Sequence, residues 1–117
     1  ITEAVLVNPY QEYPMKKVIQ SQEEFEAVFG KNEPGVDFTK QSIAFICLGK
    51  INTGGYRIEI DSIEKKEGQL IIHAKEFSPG KNCMVTQVIS YPMASVYFEK
   101  LDLPVEWEID SIIEDCP

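Results

Sequence analysis

Short apolar segments recur along nearly the whole chain, cut apart by Pro, Gly, Asn and Ser, and a single segment repeats at helical spacing. That punctuation predicts a strand-rich fold with one helix. Ala4 to Val7 and Met15 to Ile19 read as extended, separated by Asn8-Pro9 and Tyr13-Pro14, because a residue before proline is pushed toward extended geometry. Ser21-Gln22-Glu23-Glu24 is a capping box. Phe25, Val28 and Phe29 then share one helical face, and Gly30 supplies a left-handed stop. The acidic first turn suits the positive end of the helix dipole. The apolar face of this helix requires a sheet to cover it.

Ile43-Ala44-Phe45-Ile46-Cys47-Leu48 is continuously apolar, which predicts a central strand covered on both faces. Tyr56, Ile58 and Ile60 alternate with Arg57, Glu59 and Asp61. A polar turn at Lys65-Lys66-Glu67-Gly68 leads into a second alternating run, Leu70, Ile72 and Ala74, and the two predict a hairpin. Ser78 to Asn82 carries turn chemistry. Met84 to Ser90 and Ala94 to Phe98 read as further strands around Tyr91-Pro92, and Val105, Trp107 and Ile109 mark a last one. The expected architecture is mainly β (α+β): sequential antiparallel strands, about seven or eight of them, with a helix closing one face or as a two-sheet sandwich. With 117 residues and 44% apolar content, the chain is expected to form one domain over 1–117.

Eleven basic against 19 acidic side chains leave a net charge of −8, which argues against a nucleic-acid partner. No apolar run approaches the roughly 18 residues of a membrane span. From Glu99 onward, seven carboxylates against Lys100 hold −6 of that charge. Glu106, Glu108 and Asp110 are expected about 7 Å apart along one strand face, spaced for mutual repulsion rather than for one cation, so they read as a solvated edge that resists pairing.

No P-loop, dinucleotide fingerprint, GxSxG elbow, HExxH or CxxC is present. His73 is the sole histidine and falls on an alternating strand, where a solvent-facing or packing role is expected. Cys47 reads as a buried free thiol. Cys83 and Cys116 are able to pair in an oxidising compartment, but their spacing does not decide it. The expectation is a non-enzymatic domain without catalytic residues, metal or cofactor. The chain opens at Ile1 without an initiator Met, as a processed form does.

Three turns remain: Asn52-Thr53-Gly54-Gly55-Tyr56, Ser78 to Asn82, and Ser90-Tyr91-Pro92-Met93. Every second connection of an antiparallel sheet emerges at the same end, so these are able to share one edge. Two readings stand. In one, Thr53, Gly54, Gly55, Tyr56, Tyr91 and Pro92 form a protein-binding surface, the glycines setting loop shape and the tyrosines supplying contact area. In the other they are ordinary turns, with Tyr56 and Tyr91 packed at the core edge.

Val36-Asp37-Phe38, the run from Ala44 to Gly49, and Thr53-Gly54-Gly55-Tyr56-Arg57-Ile58-Glu59-Ile60 resemble the carboxy-terminal domain of the PrcB family. Ser78-Pro79-Gly80, Val85-Thr86-Gln87 and Tyr91-Pro92 resemble it too, so the likeness runs over 36–100. It leaves 1–35, with the first strands and the helix, and 101–117, with the acidic strand and tail, outside. The resemblance implies a bacterial cell-envelope protein, periplasmic, extracellular or lipid-anchored, that stabilises a partner protease without being one. Thr53-Gly54-Gly55-Tyr56 is also similar to a loop of chagasin-like inhibitors, β-sandwiches that present three loops to cysteine proteases; this implies inhibition as the alternative function.

Overall fold

A computed structural model of the chain describes residues 2–3, 11–30 and 35–116. Its elements are β1 (Thr2–Glu3), β2 (Met15–Ile19), α1 (Gln22–Phe29), β3 (Gln41–Cys47), β4 (Arg57–Lys66), β5 (Gln69–Pro79), β6 (Met93–Glu99) and β7 (Val105–Glu114). The strands form two sheets, a four-stranded one in the order β1-β6-β3-β2 and a three-stranded one in the order β4-β5-β7. The fold is mainly β, as the alternation implies. The expected strand at Ala4 to Val7 lies outside the described residues.

The expected cap forms, with its return bond displaced by one residue from Ser21 to Gln20. Ser21 Oγ accepts the Glu24 N–H at 3.1 Å, and the Glu24 carboxylate accepts the Gln20 N–H at 3.3 Å. Gly30, at φ +75°, ends α1 and donates its N–H to Glu26 O at 2.9 Å. Phe25 and Phe29 are fully buried against Ile19, Ile43, Phe45 and Cys47. Burying a ring of this kind is worth about 1.5–3 kcal/mol, more than a helix of eight residues gains from its own propensity.

β3 explains its continuous apolarity by its neighbours. Ile43, Phe45 and Cys47 share one core with Phe25 and Phe29 of α1, whereas Ala44 joins a second core with Leu70, Ile72, Val96 and Phe98 between the sheets. The order of layers is therefore helix, four-stranded sheet, three-stranded sheet, so the helix-covered sheet and the sandwich coexist.

The β4–β5 hairpin turns on Glu67 and Gly68, at φ +52° and +77°. Positive φ at both central residues matches the twist of the flanking strands. A register shift between Ile60 and Ser62 inserts one residue into β4. It lets Ile60 and Ile63 both face the core, which strict alternation forbids.

Two expectations are corrected. The strands are not all antiparallel: β7 runs parallel to β5, from Leu70 opposite Val105 to Pro79 opposite Glu114. Alternation in β7 specifies which residues face inward but not the direction of the neighbour. The second correction concerns Met84 to Ser90, which is not a strand; only Ser90 forms an isolated bridge, with Ile51. Its β-branched residues find no ladder to join, and strand propensity expresses itself only against a partner.

Candidate functional site

Strand polarity collects the turns. β3, β5 and β7 end where β2, β4 and β6 begin, as their registers require. Glu12–Pro14, the 48–56 connection, the 80–92 connection and the end of β7 consequently meet at one pole. Backbone hydrogen bonds weld them. Lys50 N–H donates to Glu12 O at 3.0 Å and Leu48 N–H to Pro92 O at 3.0 Å. Ile51 and Ser90 exchange N–H···O bonds at 2.9 and 2.8 Å.

Within this pole Gly54 N–H donates to Thr86 O at 2.9 Å, and Ser90 Oγ donates to Thr53 O at 2.9 Å. A side chain at Gly54 would collide with the Thr86 hydroxyl. Gly55 holds φ +93°, and a Cβ there would lie 3.1 Å from Val85 Cγ1. The paired glycines thus serve both a left-handed backbone and a close approach to the 80–92 connection.

Thr53, Gly54, Gly55 and Tyr56 are all in this loop, and Tyr91 and Pro92 follow Ser90 directly, so the six residues singled out by the sequence lie at one end. Gly55 is exposed; Thr53, Gly54, Tyr56, Tyr91 and Pro92 are half-buried. Gly55, Tyr56, Pro79, Met84, Val85 and Glu114 border a concavity of about 420 Å3. Tyr91 and Pro92 lie outside it.

Cys83 and Cys116 form a disulfide, 5.0 Å between their Cα atoms, which resolves the question their spacing left open. It ties the 80–92 connection to the chain just past β7, beside the Gly80 N–H bond to Glu114 O at 2.8 Å. Arg57 lies 3.8 Å from the centre of the Phe77 ring and pairs with Glu114 and Glu59. The Glu114 hydrogen bond, more than Glu59, holds the Arg57 proton more tightly than usual.

The sequence reading missed several exposed apolar side chains at this pole. Met84 is 100% exposed, Val88 63% and Ile89 51%, all on the 80–92 connection, and Tyr13 is 77% exposed just before β2. A signal was available. Met84, Thr86 and Val88 form one alternating row and Val85, Gln87 and Ile89 the other, so each row mixes polar with apolar and neither is fit to face a core.

The other reactive side chains lie apart from this arrangement. His73 Nδ1 is 3.2 Å from Glu108 and Nε2 is 3.5 Å from Glu64, on the outward face of the three-stranded sheet. Cys47 is buried in the other sheet; its thiol donates to Tyr13 O at 3.4 Å, and burial pushes its pKa up. Among the described residues no group of three or more His, Cys, Asp or Glu has the arrangement of a metal site, and no helix is long and apolar enough to cross a membrane.

These features define a class: a two-sheet β protein that presents disulfide-braced connections at one end. The family follows from comparison with known sequences. Residues 42–99 belong to the PrcB C-terminal family, whose model matches that stretch. It runs from β3 through the hairpin and the 80–92 connection to the end of β6, so it contains the whole Thr53–Tyr56 loop and Tyr91-Pro92. No curated protein and no solved structure gives a match.

Proposed function

We propose that this chain is a non-enzymatic, exported protein-binding domain that serves as a subunit of a surface protease complex, docking its partner through the loop pole. The observation that carries the reading is the exposure of Met84, Val88 and Ile89 on a connection fastened by Gly54, Ser90 and the Cys83–Cys116 bridge. Large apolar side chains held out on a braced loop serve association, because a solvent role would favour polar ones. Tyr56 beside them adds contact area at low entropy cost. The family match is consistent with a protease-complex subunit. The disulfide supports an oxidising compartment, outside the cytoplasm.

Affinity capture from the surface fraction of the source cells tests this. The unaltered chain is expected to retain a protease that a Met84→Asp, Val88→Asp double variant loses. Both positions are exposed, so the variant should keep its melting temperature. Equal recovery of the protease by both proteins would remove the pole from consideration. A papain-like protease titrated with the chain is expected to stay active; tight inhibition would instead favour the chagasin-like alternative.

A further inference from the structure

Beyond the loop pole, β7 forms one edge of the three-stranded sheet. β7 spans ten residues and pairs with β5 along one side only; among the described residues no strand pairs with its other side. Among the described residues, alternate N–H and C=O groups along that side therefore meet no ladder partner, the arrangement that strand addition uses.

The two faces of β7 differ. Its register with Leu70, Ile72 and Ala74 sets Val105, Trp107 and Ile109 on the core side. Ile109 is still 36% exposed, because a cleft of about 290 Å3 opens between the sheets beside it, with walls from Pro14, Ile46, Leu48 and Ile58. β4 borders a cavity with β6, so the sheet orders bring β2 and β7 to the same side of the sandwich, and β2 also borders this cleft. On the outward face stand Glu106, Glu108 and Asp110. Glu108 pairs with His73, whereas Lys75, opposite Asp110, pairs with Asp61 at 3.4 Å. The ion pairs among the described residues leave Glu106 and Asp110 uncompensated.

From this juxtaposition we infer that β7 binds, by strand addition, an extended segment of a partner protein that alternates apolar residues with Lys or Arg. The apolar row of the added strand lies over the cleft next to Ile109, and its basic row stands beside Glu106 and Asp110. Charge selects this occupant. A second copy of β7 would set carboxylates against carboxylates, a cross-strand arrangement that destabilises, whereas opposite charges stabilise.

Trp107, the single tryptophan, lies on β7 and reports directly on the edge. An acetylated, amidated nonapeptide alternating Lys and Val is expected to shift its emission saturably. Two control peptides, one alternating Glu and Val and the other the Lys-Val peptide N-methylated throughout, are expected to bind at least about tenfold more weakly, the first for charge and the second for lost hydrogen bonds. A Glu106→Lys, Asp110→Lys double variant should reverse the preference between the Lys-Val and Glu-Val peptides. The Met84→Asp, Val88→Asp variant should bind the Lys-Val peptide normally, which separates this surface from the loop pole. Equal binding of the N-methylated peptide would reduce the effect to charge attraction and overturn the inference. A dimer in sedimentation, strengthened by Asp110→Lys, would assign the edge to a second copy and overturn it too.

Discussion

Gly49, Gly55 and Gly68 all occupy the left-handed region, at φ +80°, +93° and +77°, yet replacing them by alanine should not cost the same. At Gly68 a Cβ meets nothing within 4 Å, leaving only backbone strain of about 1 kcal/mol. At Gly55 the new methyl must also displace Val85 and Pro79 side-chain atoms at 3.1–3.3 Å, which raises the expected cost to about 2 kcal/mol. Gly49 is the severe case, because the obstacles are Glu12 O and Pro14 N at 2.9 Å, and backbone cannot rotate away; about 3 kcal/mol is expected. Urea unfolding midpoints of the three variants should fall in that order, and a Gly49→Ala protein as stable as Gly68→Ala would contradict the geometry. The glycine pair at 54–55 and its shaping of the loop were legible in the sequence, but the segment it packs against was not. Both residues answer to Val85 and Thr86, more than 25 positions away, and no local pattern encodes that distance.

Elements with local signals were the legible ones. The Ser21 cap, the acidic first turn, the apolar stripe and Gly30 all act within one helix, so each could be read in order. Ser21→Ala removes the hydroxyl that accepts the Glu24 N–H, and a loss of about 1 kcal/mol is expected in thermal or chemical unfolding. Stability unchanged by that substitution would mean that the fully buried Phe25 and Phe29 alone set the helix start. The β4–β5 hairpin was equally readable, since Glu67-Gly68 is a local turn between two alternating runs. Met84 to Ser90 shows the opposite case. Its residue types suit a strand, but the neighbours at Gly54 and Ile51 offer isolated bonds rather than a ladder.

On the scale of the whole molecule, the Cys83–Cys116 bridge closes a covalent loop across 33 positions and joins the candidate pole to the three-stranded sheet. Loop-closure entropy predicts that a Cys83→Ser, Cys116→Ser variant loses about 3–4 kcal/mol. Limited proteolysis should then cut first within 80–92, the connection the bridge braces. A variant with an unaltered melting temperature and unaltered cleavage would show the pole to be held by its hydrogen bonds alone. The sequence by itself determined the class of fold, the helix, the two-faced burial of β3 and the acidic character of β7, because periodicity and charge are properties of a segment. Only the tertiary structure decided that β7 runs parallel to β5, that the two cysteines meet, and that Met84 to Ile89 stays outside the sheets. Those outcomes depend on which distant segment lies alongside, and such pairing is settled by packing the whole chain at once.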